Sequence, residues 1–216
     1  MFSRLPPVTL GLLIANVAVF LLQQVAGQYM LAWFALWPWG PAQAVQTSHG
    51  VVMVGFHVWQ LVTYGFLHGG IAHIFFNMFG LFMFGAPIEY AFGRNRFLIY
   101  YFVCIVVAAI AHLLVVHFAT GGFYPTIGAS GGVFGVLLAF GMLFPHQRIM
   151  LLIPPIPMPA WVFVTGYGLL ELVLGVTGTA SGIAHFAHLG GMLGGLVLIL
   201  YWRGKFPFKP RQLLLR

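Results

Sequence analysis

The chain has 216 residues, of which 61% are hydrophobic and only 5% charged, where a soluble domain carries roughly a quarter charged residues. This composition excludes a water-soluble globular domain and points to an integral membrane protein. With no soluble module beside it, the net charge of +7 reads as membrane topology and attraction to anionic lipid, not as a nucleic-acid-binding surface.

A membrane span needs about 20 mostly apolar residues. Six segments qualify: 8–26, 70–88, 97–118, 127–144, 159–176 and 182–202. They predict an all-α fold, a polytopic bundle of six transmembrane helices forming a single domain over 1–216. No short apolar segment with a small-residue cleavage site opens the chain, so no removable signal peptide is expected. After the first span, residues 27–69 are too long for a simple loop and hold Trp33, Trp37, Trp39 and Trp59. Such rings favour the headgroup level, which predicts a partly structured external loop lying in the outer interface. A mobile loop is the alternative. At the end of the second span, Glu89 stands close to Arg94 and Arg96, its expected partners. Cys104 has no second cysteine to pair with and reads as a small core residue. The stretch PPIPMP (154–159) breaks the chain before the fifth span, and a basic tail follows the sixth over 203–216.

Six spans place all nine Lys and Arg on one side: Arg4, Arg94, Arg96, Arg148, Arg203, Lys205, Lys209, Arg211 and Arg216. The positive-inside bias then sets both termini in the cytoplasm of a cell whose inner (plasma) membrane holds the chain. The second, fourth and sixth spans all run inward. His73 and Asn77 lie near the start of the second, Ser130 near the start of the fourth, and His185 and His188 near the start of the sixth. A rise of about 1.5 Å per residue puts them at a shared depth in the outer third of the bilayer. Polar groups there are costly and face the bundle interior, which makes them functional candidates.

His73 and Asn77 are four apart and share a helix face. The fourth span opens on TIGASGGVFG (126–135), and the sixth carries Gly191 and Gly195 on the face begun by His188. Small residues at such spacing let helices approach closely in lipid, bringing Ser130 within reach of His188 as a nucleophile and its base. A packing role is the bland reading for each residue alone. Neither acid is well placed by the sequence. Glu89 lies at the far end of its span, and Glu171, nearer the external end of the fifth, reads first as a hydrogen-bonded packing residue, with contact to the site as the alternative. A Ser–His dyad is therefore the expected mechanism. The rival reading of a histidine metal site, from His68 with His73 or His185 with His188, is weakened by the lack of a carboxylate expected nearby.

These residues carry a resemblance to the rhomboid family of intramembrane serine proteases. It rests on HGGIAHIFFN (68–77), GASG (128–131) and AHLGGMLGG (187–195), in order on the second, fourth and sixth spans, with EYAFGRNRF (89–97) as a further match. The resemblance implies Ser130 as nucleophile and His188 as general base. It implies His73 and Asn77 as oxyanion ligands with the Ser130 backbone N–H. Gly128, Gly131, Gly191 and Gly195 become supporting glycines, and His68 matches a family histidine of less defined role. It implies transmembrane-protein substrates, no cofactor and no metal. Two departures stand out. Trp59-Gln60 replaces a Trp-Arg pair of the first external loop, and Phe134 replaces a tyrosine, leaving a ring to pack on His188 but no hydroxyl. A catalytically silent, membrane-protein-binding relative is the alternative function, although such a relative is expected to lack the serine or the histidine.

Overall fold

The computed structural model describes residues 5–47, 50–150, 155–178 and 184–208. Arg4, Lys209, Arg211, Arg216, most of the basic tail, residue 154 of PPIPMP and the first two positions of the sixth expected span lie outside the described residues. The helices are α1 (Pro7–Phe34), α2 (Gln60–Thr63), α3 (Ile71–Phe92), α4 (Arg94–Val115), α5 (Ser130–Leu143), α6 (Ala160–Thr177) and α7 (His185–Trp202). Two short antiparallel hairpins join them, β1 (Gln43–Thr47) with β2 (Gly50–Val54), and β3 (Arg148–Met150) with β4 (Pro157–Pro159). The fold is a polytopic helical bundle in which these hairpins are confined to connections.

Among the described residues, α1, α3, α4 with its π turn to Thr120, α6 and α7 are long and apolar enough to cross a membrane. α5 has only 14 residues and rises about 21 Å, short of a hydrocarbon core of about 30 Å. The expected fourth span therefore begins three residues late, because its first part is not helical. Residues 121–129 approach α5 in extended and bent backbone, with Gly128 at φ 131°, a conformation open mainly to glycine.

α4 is the central post. Phe97, Tyr100, Tyr101, Cys104, Ile105, Ala108 and Ala109 are all fully or almost fully buried, the role expected of Cys104 included. Against it pack the glycine faces of α5 and α7. A methyl on Gly131 would strike Ala108, one on Gly135 the Cys104 sulfur, one on Gly195 the Tyr100 hydroxyl, and one on Gly191 the Gly131 carbonyl. The small-residue spacing thus works as expected: backbones approach until no side chain fits between them.

One polar expectation is corrected here, the pairing of Glu89 with Arg94 and Arg96. The Glu89 carboxylate instead accepts the N–H groups of Val8 and Thr9 at 2.9 and 2.7 Å and the Thr9 hydroxyl at 2.8 Å. The start of α1 has N–H groups with no intrahelical acceptor, and a buried anion at that positive end satisfies them. Arg96 lies over the Trp202 ring, 5.7 Å from its centroid.

The described residues of the long segment 27–69 are structured. α1 runs on to Phe34, the β1–β2 hairpin follows, and α2 with one 3-10 turn (Tyr64–Phe66) leads into α3. Its organiser is Gln60, with no exposed surface. The Gln60 Oε1 accepts the N–H groups of Trp37 and His57, each at 3.2 Å, while Nε2 donates to the Gly55 carbonyl at 3.0 Å. A neutral amide therefore tethers the loop at the position where this chain departs from the Trp-Arg pair of the resemblance. Trp37 is buried, and its indole donates to the end of α1; Trp33 and Trp59 are half exposed.

Candidate active site

Ser130 is the first residue of α5. What precedes it is stitched down strand by strand. Leu36 and Thr126 exchange backbone hydrogen bonds at 3.0 and 2.9 Å, and the Gly128 N–H donates to the Tyr64 carbonyl at 3.0 Å. The Thr126 hydroxyl lies 2.6 Å from Nε2 of buried His112 on α4. His112 was not singled out by the sequence, since a lone histidine in an apolar span shows no pattern. Its contribution is to anchor the segment that delivers Ser130.

His188 sits in the first turn of α7, with its Nε2 2.8 Å from the Ser130 Oγ. Phe134, one turn after the serine, stacks on the imidazole with centroids 4.3 Å apart and planes 5° from parallel. Tyr167 of α6 stacks on the other face of Phe134 at 5.1 Å. The ring expected from Phe134 is in place, and it fixes the plane in which the imidazole lies.

The expected absence of an acid is corrected. Glu171 of α6 is buried, and its Oε2 lies 2.8 Å from His188 Nδ1 and 2.7 Å from His185 Nδ1. The sequence reads Glu171 first as a hydrogen-bonded packing residue of the fifth span, and contact with the site only as the lesser alternative. Helical register on α6 turns it toward α7, where the first-turn histidines, three residues apart, share one face. A carboxylate oxygen only accepts, so the network assigns each Nδ1 a proton. That leaves His188 Nε2 with its lone pair toward the Ser130 hydroxyl. The carboxylate thought missing from any histidine cluster is also present, as Glu171, His185 and His188 bring their ligand atoms within 4.8 Å of one another.

His73 and Asn77 lie across from the serine on α3. His73 Nδ1 accepts the Gly69 N–H at 3.2 Å, which leaves the proton of a neutral ring on Nε2. That Nε2 faces Gly128. A methyl built on Gly128 would sit 2.8 Å from it and 3.6 Å from the Ser130 Oγ, so the glycine keeps open the space between donor and hydroxyl. Asn77 is buried and gives one amide proton to the His73 carbonyl at 2.9 Å. His68 packs edge-on against His73 at 5.1 Å. Burial, with His73 beside it, pushes its imidazole down to about 4. As the first residue of α5, Ser130 has a backbone N–H without an intrahelical acceptor.

Ser130, His188, His73 and Gly128 thus meet at one end of α3, α5 and α7, with Asn77 one turn along α3, while Gly195 packs deeper, against Tyr100 and Cys104. The basic residues of known position collect at the other end, with Arg96 at Trp202 and Arg203 donating to the Met142 carbonyl at the close of α5. Comparison with known proteins agrees on the kind of molecule. A family model described as "Rhomboid domain" matches residues 55–205. The chain is 31% identical over 161 residues to "Rhomboid protein 1, mitochondrial" of Saccharomyces cerevisiae, covering 71% of this chain and 44% of that protein. It is 32% identical over 140 residues to "Rhomboid protease GluP" of Bacillus subtilis, covering 63% of this chain and 24% of the relative. With "Rhomboid protease GlpG" of Serratia proteamaculans it shares 28% identity over 205 residues, covering 93% and 64%. The chain spans less than two thirds of the length of each of these relatives.

Proposed function

The chain belongs to the rhomboid family, and from that premise we propose that it is an intramembrane serine endopeptidase with Ser130 as nucleophile and His188 as base. The carrying observation is the 2.8 Å contact between Ser130 Oγ and His188 Nε2, in a ring plane fixed by Phe134. Ser130 attacks a peptide carbonyl as His188 takes its proton. Glu171, bonded to the opposite nitrogen, holds the reactive tautomer and balances the imidazolium that forms. The mechanism is then a serine, a histidine and an acid in line. The oxyanion is met by the Ser130 backbone N–H, by the His73 Nε2–H and by Asn77 once its amide turns from the His73 carbonyl. Such donors are each worth about 3–4 kcal/mol in a dry site. His188 then protonates the leaving amine, and water hydrolyses the acyl-enzyme.

The substrate is a transmembrane segment of another protein that unwinds near the site, because a helix keeps its carbonyls in hydrogen bonds. The family resemblance implies small residues at the cut and helix-weakening residues beside it. The separation of the basic end from the serine end supports an orientation with both termini in the cytoplasm of a bacterial-type plasma membrane and the site toward the external face. The test is cleavage of a transmembrane reporter by purified protein in liposomes, with fluorophosphonate labelling alongside. The wild type cleaves and labels, and Ser130→Ala does neither while keeping its thermal midpoint. Undiminished turnover by Ser130→Ala overturns the assignment. A folded wild type that neither labels nor cleaves favours the silent, binding-only relative.

A further inference from the structure

The proposed relay uses Glu171 and His188 and leaves His185 without a task. Yet His185 is as buried as its neighbours, with its Nδ1 2.7 Å from the same carboxylate oxygen that His188 Nδ1 approaches at 2.8 Å. Two imidazoles and a carboxylate, with ligand atoms within 4.8 Å of one another, are the donor set of three-ligand zinc sites that leave a fourth position to water. We propose that Glu171, His185 and His188 form a binding site for a divalent cation of the zinc type, and that its occupancy switches the protease off. The second half rests on the assignment of Ser130 and His188 made above.

In a tetrahedral site with bonds of about 2.0–2.1 Å, neighbouring ligand atoms stand roughly 3.3 Å apart. The carboxylate oxygen therefore withdraws by about half an ångström from each nitrogen, and the two Nδ1 atoms, which lie within 4.8 Å of one another, come to that spacing by side-chain rotation. The proton balance also closes. Both Nδ1 atoms must lose their protons to bind metal, and each neutral ring regains one at Nε2. His185 Nε2 is buried with no hydrogen-bond partner among the described residues, so its tautomer change gives up only the Nδ1 bond to Glu171, which the metal replaces. For His188 the change is decisive. Its Nε2 becomes an N–H donor to Ser130 Oγ and no longer holds the lone pair that must accept the serine proton. Metal binding and nucleophile activation are mutually exclusive at this imidazole.

The test uses the full chain in detergent, stripped with chelator, and cobalt(II) as a spectroscopic probe with zinc as competitor. Wild type and Ser130→Ala are expected to bind one cobalt per chain with the intense visible absorption of a tetrahedral site, and zinc is expected to abolish it. His185→Phe, and His185→Gln as a second variant that keeps a hydrogen bond to Glu171, are expected to lose that absorption. Zinc should inhibit reporter cleavage by the wild type reversibly. The concentration for half inhibition should rise at least tenfold in a His185 variant relative to its own metal-free rate. No tetrahedral absorption at millimolar cobalt, absorption that persists in both folded His185 variants, or cobalt binding without loss of cleavage each overturns the proposal. The cobalt arm needs no activity, so it stands apart from failure of the protease assignment, which Ser130→Ala cleavage would reveal.

Discussion

Replacing Glu171 by glutamine removes one charge and almost no volume. In the resting site the glutamine oxygen still accepts a hydrogen bond from His188 Nδ1, now 2.8 Å from the carboxylate, so the fold is kept. The change is felt when His188 becomes an imidazolium. A bond between two charged groups then becomes a bond to a neutral amide. Hydrogen bonds to charged groups exceed neutral ones by about 1–2 kcal/mol, and this one is buried, so about 2–3 kcal/mol is lost from the transition state. That corresponds to a kcat lower by about 30- to 150-fold. If the amide turns its NH2 toward His188 the loss is larger, because Nδ1 must then accept and Nε2 carries the proton. Glu171 touches no substrate, so KM should hold. Glu171→Ala differs, since it strands two buried N–H groups and should also lower the thermal midpoint. The assay is steady-state cleavage of the liposome reporter with thermal midpoints measured in parallel. Turnover by Glu171→Gln within about threefold of the wild type would refute the idea that the carboxylate supports the base.

Other outcomes follow from single contacts. Gln60→Ala leaves the N–H groups of Trp37 and His57 and the Gly55 carbonyl without their partner; at about 1 kcal/mol or more for each, it should destabilise by about 3 kcal/mol, read as a lower thermal midpoint. Gly191→Ala drives a methyl into the Gly131 carbonyl and should cost about 1–3 kcal/mol by overpacking, with labelling of Ser130 falling as α5 and α7 separate; wild-type labelling would contradict that packing. His68 is held down to about 4 by burial, with His73 beside it, against an ordinary value of about 6.5. Its neutral form is favoured by folding, so its stability contribution is full above about pH 6.5 and fades as pH falls toward 4, about 1–2 kcal/mol by pH 5. His68→Phe should flatten the fall in thermal midpoint between pH 7 and pH 5, and an unchanged fall would refute this source.

What the sequence disclosed was whatever obeys a period or a motif. The apolar helices other than α5 and the small-residue faces of Gly131, Gly191 and Gly195 follow from residues spaced along one helix, and the meeting of Ser130 with His188 from two such faces at one depth. For Glu171 the packing role ranks above contact with the site because that contact depends on how α6 is turned against α7, a rotation no single-helix pattern encodes. Glu89 was misassigned for the converse reason. Proximity in sequence suggested Arg94 and Arg96, whereas the strongest need for an acceptor lay 80 residues away at the start of α1. The family's own departures also misled in a useful way. Gln60 looked like a lost charge, yet an amide that both donates and accepts satisfies three backbone groups of different polarity, which no arginine can do. The shortness of α5 was hidden by Gly128, because an apolar run says nothing about where the backbone leaves helical geometry.

The acid's address has a mechanical consequence. α6 buries only Ala160, Val164 and Glu171, so among the described helices long enough to cross a membrane it is the least buried, and its hold on the bundle at the site end is polar and aromatic. A substrate helix that enters by pushing α6 aside must break the Glu171 bonds to His185 and His188 and the stack of Tyr167 on Phe134. Entry and chemistry then demand opposite positions of one helix. A short bis-methanethiosulfonate cross-link across the pair Gly168→Cys and Met192→Cys would separate them, since the Met192 side chain reaches within 3.2 Å of a Cβ at 168, which puts the two positions face to face one turn from the hydrogen-bonded cluster. Cross-linked, the variant should lose cleavage of the transmembrane reporter at least tenfold, yet still label with a small fluorophosphonate, because its base stays supported and only the gate is shut. Reductant should restore cleavage. Full-rate cleavage by the cross-linked protein would refute entry past α6 and leave Glu171 bonded to His188 through the whole cycle.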